Sequence, residues 1–283
     1  MNMYRVFFCV ILMIAVPVLS GTLPEEKVPA EDTTGNAIAL HERTVENNAF
    51  VVGEYLLFLL RWGLIRGGFA TLEVDRVEQI HDRDAYVIVS KARTNGFFDT
   101  FFKVRDVNKS WLDTRGFYSH RFLKDIHEGH YEKKRMMDYF QQEGIVHIYK
   151  KDHTVEVEIP PFVLDVLSAL YYTRTQNLTV GNDIVIDVNT GDKNWPLVVK
   201  VHRKETVEVP IGTFDCLVVE PMMRDEGIFE TKGNITIWMT DDERHVPVLM
   251  KTKVLVGSIT AELIRTIEKD TDWDLLDDSE KSN

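Results

Sequence analysis

Residues Ala70–Asp75 read ATLEVD, with apolar and polar side chains in strict alternation. Successive side chains of a strand point to opposite faces, so this period of two predicts a strand with one buried and one wet face. Working outward, the same period returns at Val155–Ile159 (VEVEI), Ile184–Val188 (IVIDV), Leu197–His202 (LVVKVH) and Val248–Val254 (VLMKTKV). Turn signals punctuate these segments at Gly67–Gly68, Asn95–Gly96, Glu143–Gly144, Gly181–Asn182, Thr190–Asp192, Ile211–Gly212 and Val256–Gly257. Short strands and turns at regular spacing, about a dozen strands in all, predict a mainly β fold. The expected form is a strongly curved antiparallel sheet, either a half-open barrel or a sandwich.

Two segments depart from the one-wet-face rule. Glu54–Trp62 reads EYLLFLLRW and Ala85–Val89 reads AYVIV, both apolar on both faces. Such strands need cover on each side. One helix, at about 161–174, is expected to supply it. Pro160–Pro161 suits its start, and only Asp165 and Ser168 form a polar stripe on an otherwise apolar surface. The helix is therefore predicted to be buried against the concave face of the sheet. Asn95–Val104 (NGFFDTFFKV) is expected to add a short amphipathic turn, on which Phe97 would meet Phe101 and Phe98 would meet Phe102.

The chain has 283 residues, of which 44% are hydrophobic and 28% charged, with a net charge of −12. That composition excludes a wholly disordered chain and a multi-span membrane protein. The acidic balance argues against nucleic-acid binding. Arg5 followed by the apolar run Val6–Leu19 and the small residues Ser20–Gly21 reads as a signal peptide over 1–21. A flexible linker (22–48), a single β-rich domain (49–268) and a disordered acidic tail (269–283) are expected to follow. Removal of the signal, with Cys9, leaves Cys216 as a lone thiol in an apolar series, which predicts a buried inert cysteine.

Few residues point to chemistry. His120, His127, His130, His147 and His153 fall close together, but the strong metal-ligand spacings are missing, so no metal and no cofactor are expected. Neither a nucleophile elbow nor a phosphate-binding glycine loop occurs. Glu54 opens an apolar strand, and a buried carboxylate demands a partner; Arg61, Arg66 and Arg174 are the candidates. Asp165 has the same need on the helix, where Arg174 lies on the opposite side and should not meet it. The aromatic residues of the first half are expected to be core or to line an apolar concavity.

Four stretches carry a family resemblance: FVVGEYLLFLLRWGLIRGGFATL (50–72), LDVLSALYYTR (164–174), KETVEVPIGTFDCLVVEP (204–221) and IWMTDDERHVPVLMKTKVLVGSITAEL (237–263). The chain resembles the exported bacterial proteins grouped as domain of unknown function 3108. The resemblance implies a signal-bearing envelope protein of antiparallel β architecture, similar in outline to the half-open barrel of periplasmic lipoprotein carriers. It implies no reaction, and its matching polar positions, Asp241 among them, are candidates for structural or binding roles only.

Taken together, these readings predict an exported, non-enzymatic protein, periplasmic or associated with the outer membrane. Its concave face would hold a lipid, a lipidated envelope component or another apolar ligand. The candidate ligand-binding residues are Glu54, Phe58, Trp62, Asp165, Tyr171, Arg174 and Trp238. The alternatives are an envelope-assembly scaffold without a pocket and, third, a hydrolase using Glu54 or Asp165.

Overall fold

The computed structural model describes residues 43–223, 235–254 and 257–267. The expected signal peptide, linker residues 22–42 and the acidic tail lie outside the described residues. Fourteen strands form one antiparallel sheet that does not close on itself. They are β1 (Tyr55–Trp62), β2 (Ile65–Ile80), β3 (Arg83–Thr94), β4 (Arg105–Asp113), β5 (Ser119–Glu128), β6 (Tyr131–Phe140), β7 (Ile145–Tyr149) and β8 (Thr154–Glu158). The second series is β9 (Ile184–Asn189), β10 (Asn194–Val209), β11 (Gly212–Met223), β12 (Ile235–Thr240), β13 (Pro247–Lys253) and β14 (Ser258–Ile267). Helix α1 (Gly96–Asp99) lies between β3 and β4, and α2 (Val166–Arg174) between β8 and β9.

Sequence neighbours pair throughout, with two exceptions. The ends of the domain meet at the centre of the sheet, where β1 pairs β14 from Tyr55↔Ile267 to Trp62↔Ile259. At the other extreme, β8 and β9 are the two edges, and residues 159–183 bridge between them. The first residues of this connector are hydrogen-bonded to both arms of the sheet. Ile159 N donates to Gly144 O at 2.8 Å, and Leu164 forms a parallel bridge with Val188 of β9. Helix α2 packs on β3 and β4 as well as on β9, strands far apart in the sheet order. The sheet must curl to bring them to one helix, which is the curvature the sequence pattern predicted.

The expected helix starts late. Phe162 takes a left-handed φ of 59°, the Leu164 backbone is spent on β9, and Asp165 is the N-cap. Pro160 and Pro161 therefore belong to the connector, and the apolar run 162–164 seals the sheet edge rather than a helical face. The start of β2 also differs from expectation, because Gly67–Gly68 sits inside the strand while the reversal falls at Gly63–Leu64. Gly68 is there for space: a Cβ would stand 2.0 Å from Arg93 O on β3.

The main core joins Leu56, Phe58, Leu60, Leu72, Ile88, Leu112 and Tyr139 of the sheet to Leu167 and Tyr171 of α2. Ala85, Val87 and Val89, the outward side of the doubly apolar AYVIV, find separate cover. They cluster with Ile80 and Trp111 on the outer face, where Arg121 lies over the indole and Glu78 accepts its N–H at 3.2 Å. Arg43–Asn48, assigned to the linker from sequence, is also packed down. Val45 N donates to Arg115 O, and the Arg43 guanidinium lies over Phe162 and Tyr172.

Substituting Gly68→Ala should cost about 1–3 kcal/mol through overpacking against the β3 backbone. Gly96→Ala, with nothing near its Cβ, should stay within about 0.5 kcal/mol of wild type. Urea denaturation of the two variants checks the contrast.

Candidate functional site

Both ends of α2 are held by buried polar groups. At the C-terminal end, Arg174 is 1% exposed and Glu54 0%. The guanidinium donates to both carboxylate oxygens, Nη1 to Oε1 at 2.6 Å and Nη2 to Oε2 at 2.9 Å. Its remaining donors reach Ala49 O at 2.9 Å and Arg244 O at 3.1 Å. Arg244, on the turn between β12 and β13, adds Nη2 to Glu54 Oε2 at 3.1 Å. The rings of Phe50 and Tyr171 flank the Arg174 guanidinium. Burial would lower the Arg174 pKa, but the adjacent Glu54 carboxylate outweighs it, so Arg174 titrates above its ordinary value. These hydrogen bonds engage all three guanidinium nitrogens, and a buried ion pair needs such extra bonds to persist.

At the N-terminal end, Asp165 Oδ1 accepts from the backbone N–H of Leu167 and Ser168, each at 2.9 Å. That is an N-cap. Its other oxygen accepts from Ser110 Oγ of β4 and Ser119 Oγ of β5, each at 2.6 Å. Ser119 Oγ in turn accepts from Asp165 N at 2.8 Å, and Ser110 Oγ lies 2.5 Å from Ser168 Oγ. Burial raises the Asp165 pKa, and the surrounding hydroxyl and backbone donors pull the other way without cancelling it.

The seven residues singled out from sequence thus separate into groups. Glu54, Arg174 and Tyr171 converge, with Tyr171 0% exposed beside the ion pair. Asp165 stands at the opposite end of the helix, and the expected absence of an Asp165–Arg174 pair holds. Phe58 is core on β1. Trp62 is partly buried at the β1 turn, close to Gly257. Trp238 lies away on β12, buried with its indole N–H unpartnered.

A third buried carboxylate, Asp113, escaped the sequence reading. Asp113 accepts two hydrogen bonds from Arg83, one from His120 Nε2 at 3.0 Å, and others from the backbone of Arg115 and Gly116. Burial works to raise its pKa, but these donors hold it well below the usual carboxylate range. Only its place between strand and turn (LDTRG) hinted at this, and such a pattern is common. His127 pairs with Asp125 and His147 with Glu156. Among the described residues, no three His, Cys, Asp or Glu side chains gather as a metal site. Burial pushes the Cys216 thiol up to about 12, so it remains protonated and unreactive. Asp106 is buried with only the His127 N–H for support, and burial raises its pKa to about 7.

The architecture defines a barrel-like open sheet plugged by a short helix that is tied down at each end. The chain belongs to the family described as "Protein of unknown function (DUF3108)", whose model matches residues 57–264. Among solved structures, the beta-barrel-like protein of domain of unknown function DUF1849 from Brucella abortus aligns with a TM-score of 0.55 at 10% identity. The alignment covers 78% of this chain and 100% of that one. A chain from Bacteroides fragilis, described as a "putative exported protein with YmcC-like fold", aligns with a TM-score of 0.36 at 12% identity, covering 80% and 100%. The first likeness supports the barrel-like fold and nothing further; the second carries no argument. No curated protein matches the sequence. No helix among the described residues is long and apolar enough to cross a membrane.

Two measurements test this account. Arg174→Met should destabilise the protein by about 3 kcal/mol by leaving the buried Glu54 charge to the partly exposed Arg244, and adding Glu54→Gln should recover part of that loss. A urea double-mutant cycle reads the coupling. For Asp106, the folded-state pKa lies above the unfolded value, so protonation is favoured by folding. Its contribution is fully present at low pH and is lost as pH rises from about 4 to about 7. Asp106→Asn keeps an acceptor for His127 N and should raise the urea midpoint at pH 8, with a smaller gain at pH 5.

Proposed function

We propose that this protein is exported to the cell envelope and works there without catalysis, as an interaction or assembly protein whose curved sheet is filled by its own helix. One observation carries the reading. Phe58, Tyr171, Glu54 and Asp165, four of the residues proposed to receive a ligand, are each 0% exposed and already in contact with α2 or its partners. Zero exposure leaves no water-sized space against these side chains, so an acyl chain would have to displace the helix. The polar groups at both helix ends oppose that displacement. The pattern of residues 1–21 supports export, and periplasmic or outer-membrane-associated placement follows from it.

Binding of a lipid or lipidated component inside the sheet remains the second reading, and a specific feature favours it. The hydroxyls of Tyr139 on β6 and Tyr171 on α2 are buried without partners in the core between sheet and helix. Each is costly to leave unpaired. A headgroup entering beside a displaced helix would satisfy them.

Native mass spectrometry of gently purified protein, with solvent extraction of the same sample, separates the two. The interaction reading expects the mass of the polypeptide alone, together with specific protein cross-links in intact cells. One lipid per chain, displaced by added lipid, would overturn it in favour of the internal site.

A further inference from the structure

We infer that one end of the sheet is a docking surface for an anionic phospholipid bilayer. The inference rests on the proposed function only in supposing that the protein meets a membrane; the surface itself is read from the structure.

Five of the large apolar side chains most open to solvent lie on three adjoining turns: Leu64, Ile65, Phe97, Phe101 and Tyr131. Leu64 is 93% exposed, Phe101 74% and Phe97 66%. The turns are joined by backbone. Asn95 N donates to Gly67 O at 3.0 Å and Asn95 Nδ2 to Arg66 O at 2.8 Å, which fixes the β3–β4 connection to the β1–β2 turn. Gly129 N donates to Lys103 O at 2.8 Å, and Val104 bridges Glu128, which adds the β5–β6 turn.

The aromatic tip is built to project. Asn95 Oδ1 caps α1 by accepting from Phe98 N at 3.0 Å. Asp99 is gripped by Arg105, with Nη2 to Oδ2 at 2.6 Å, and by the Thr94 hydroxyl. Phe102 packs against Gly129. With these anchors inside, Phe97 and Phe101 meet edge to face, centroids 5.5 Å apart, and are open to solvent. An exposed apolar cluster held rigid by its own scaffold marks a contact surface rather than a loose loop.

Charge selects the occupant. The chain carries −12 overall, which repels an anionic surface. Around the tip the balance turns over: Arg66, Arg93 and Lys103 are exposed on the first two turns, and Lys253 is exposed on the strand leading to the turn beside Trp62. Asp99 is neutralised by Arg105, and on the third turn and its strands Lys134 pairs with Asp125 at 3.5 Å while Glu132 lies 3.6 Å from His127 Nδ1. Apolar tips ringed by Lys and Arg suit the boundary between acyl chains and acidic headgroups, with the cations drawn to the headgroups. An acidic body with a cationic, greasy end also fixes the orientation of approach.

The test is co-sedimentation of the purified protein with vesicles containing about a third phosphatidylglycerol and with vesicles of phosphatidylcholine alone. Binding should favour the anionic vesicles at least fivefold and weaken as salt is raised, because screening shortens the reach of the charges. The triple variant Leu64→Asn, Phe97→Ser, Phe101→Ser should lose at least fivefold in bound fraction while keeping the wild-type circular dichroism and urea midpoint. Arg66→Glu with Lys103→Glu should remove the preference for anionic vesicles. Absence of wild-type binding, or a triple variant that binds like wild type, would overturn the proposal. So would self-association of the wild type that the triple variant abolishes in the absence of vesicles, since the surface would then be an interface between copies. None of these outcomes depends on whether the interior takes a ligand.

Discussion

A buried helix exposes the sheet around it to eight unpaired backbone groups and, here, to one guanidinium. The structure depends on how those are answered. Asp165 supplies acceptors at one end and Glu54 supplies the counter-charge at the other. Through them the helix is connected to β4, β5, the residues preceding β1 and the turn after β12. A nine-residue helix has little stability of its own. Its position comes from these contacts and from the apolar side chains packed between them.

The same constraint explains the curl of the sheet. An open antiparallel sheet of fourteen strands has two edges and one face that must be covered. The connector from β8 to β9 serves both needs: its backbone pairs with β9 through Leu164, and its helix fills the face. β8 is the other edge, and its TVEVE sequence exposes Glu156 and Glu158. Charged side chains on an edge discourage pairing with a further strand.

The fold was largely legible because alternation is a local signal. Ala70–Asp75, Ile184–Val188 and Leu197–His202 lie wholly in strands, and Val155–Ile159 and Val248–Val254 overrun β8 and β13 by one residue each. Glu54 stood out as a carboxylate at the head of an apolar run, and Arg174 was among its three possible partners. Other features depended on distance that a sequence does not display. Arg244 lies 190 positions from Glu54, and Ser110 is 55 from Asp165. The late helix start was hidden because Phe162–Leu164 is as apolar as a helical face, and only the β9 backbone decides that it pairs instead. The outer Trp111 cluster was missed for a related reason: an apolar strand says that it needs cover, not which residue provides it.

The centre of the sheet is assembled from opposite ends of the domain. Among the described residues β1 is the first strand to be synthesised and needs β14, the last of them, from Tyr55↔Ile267 onward. Until then the run YLLFLLRW has one hydrogen-bonding margin without its native mate, although the hairpin to β2 can already form. Non-local pairing of this kind slows folding. Assembly of this sheet therefore waits on the emergence of β14 from the ribosome, and a nascent chain truncated before Ser258 would present a greasy ribbon to whatever chaperone meets it.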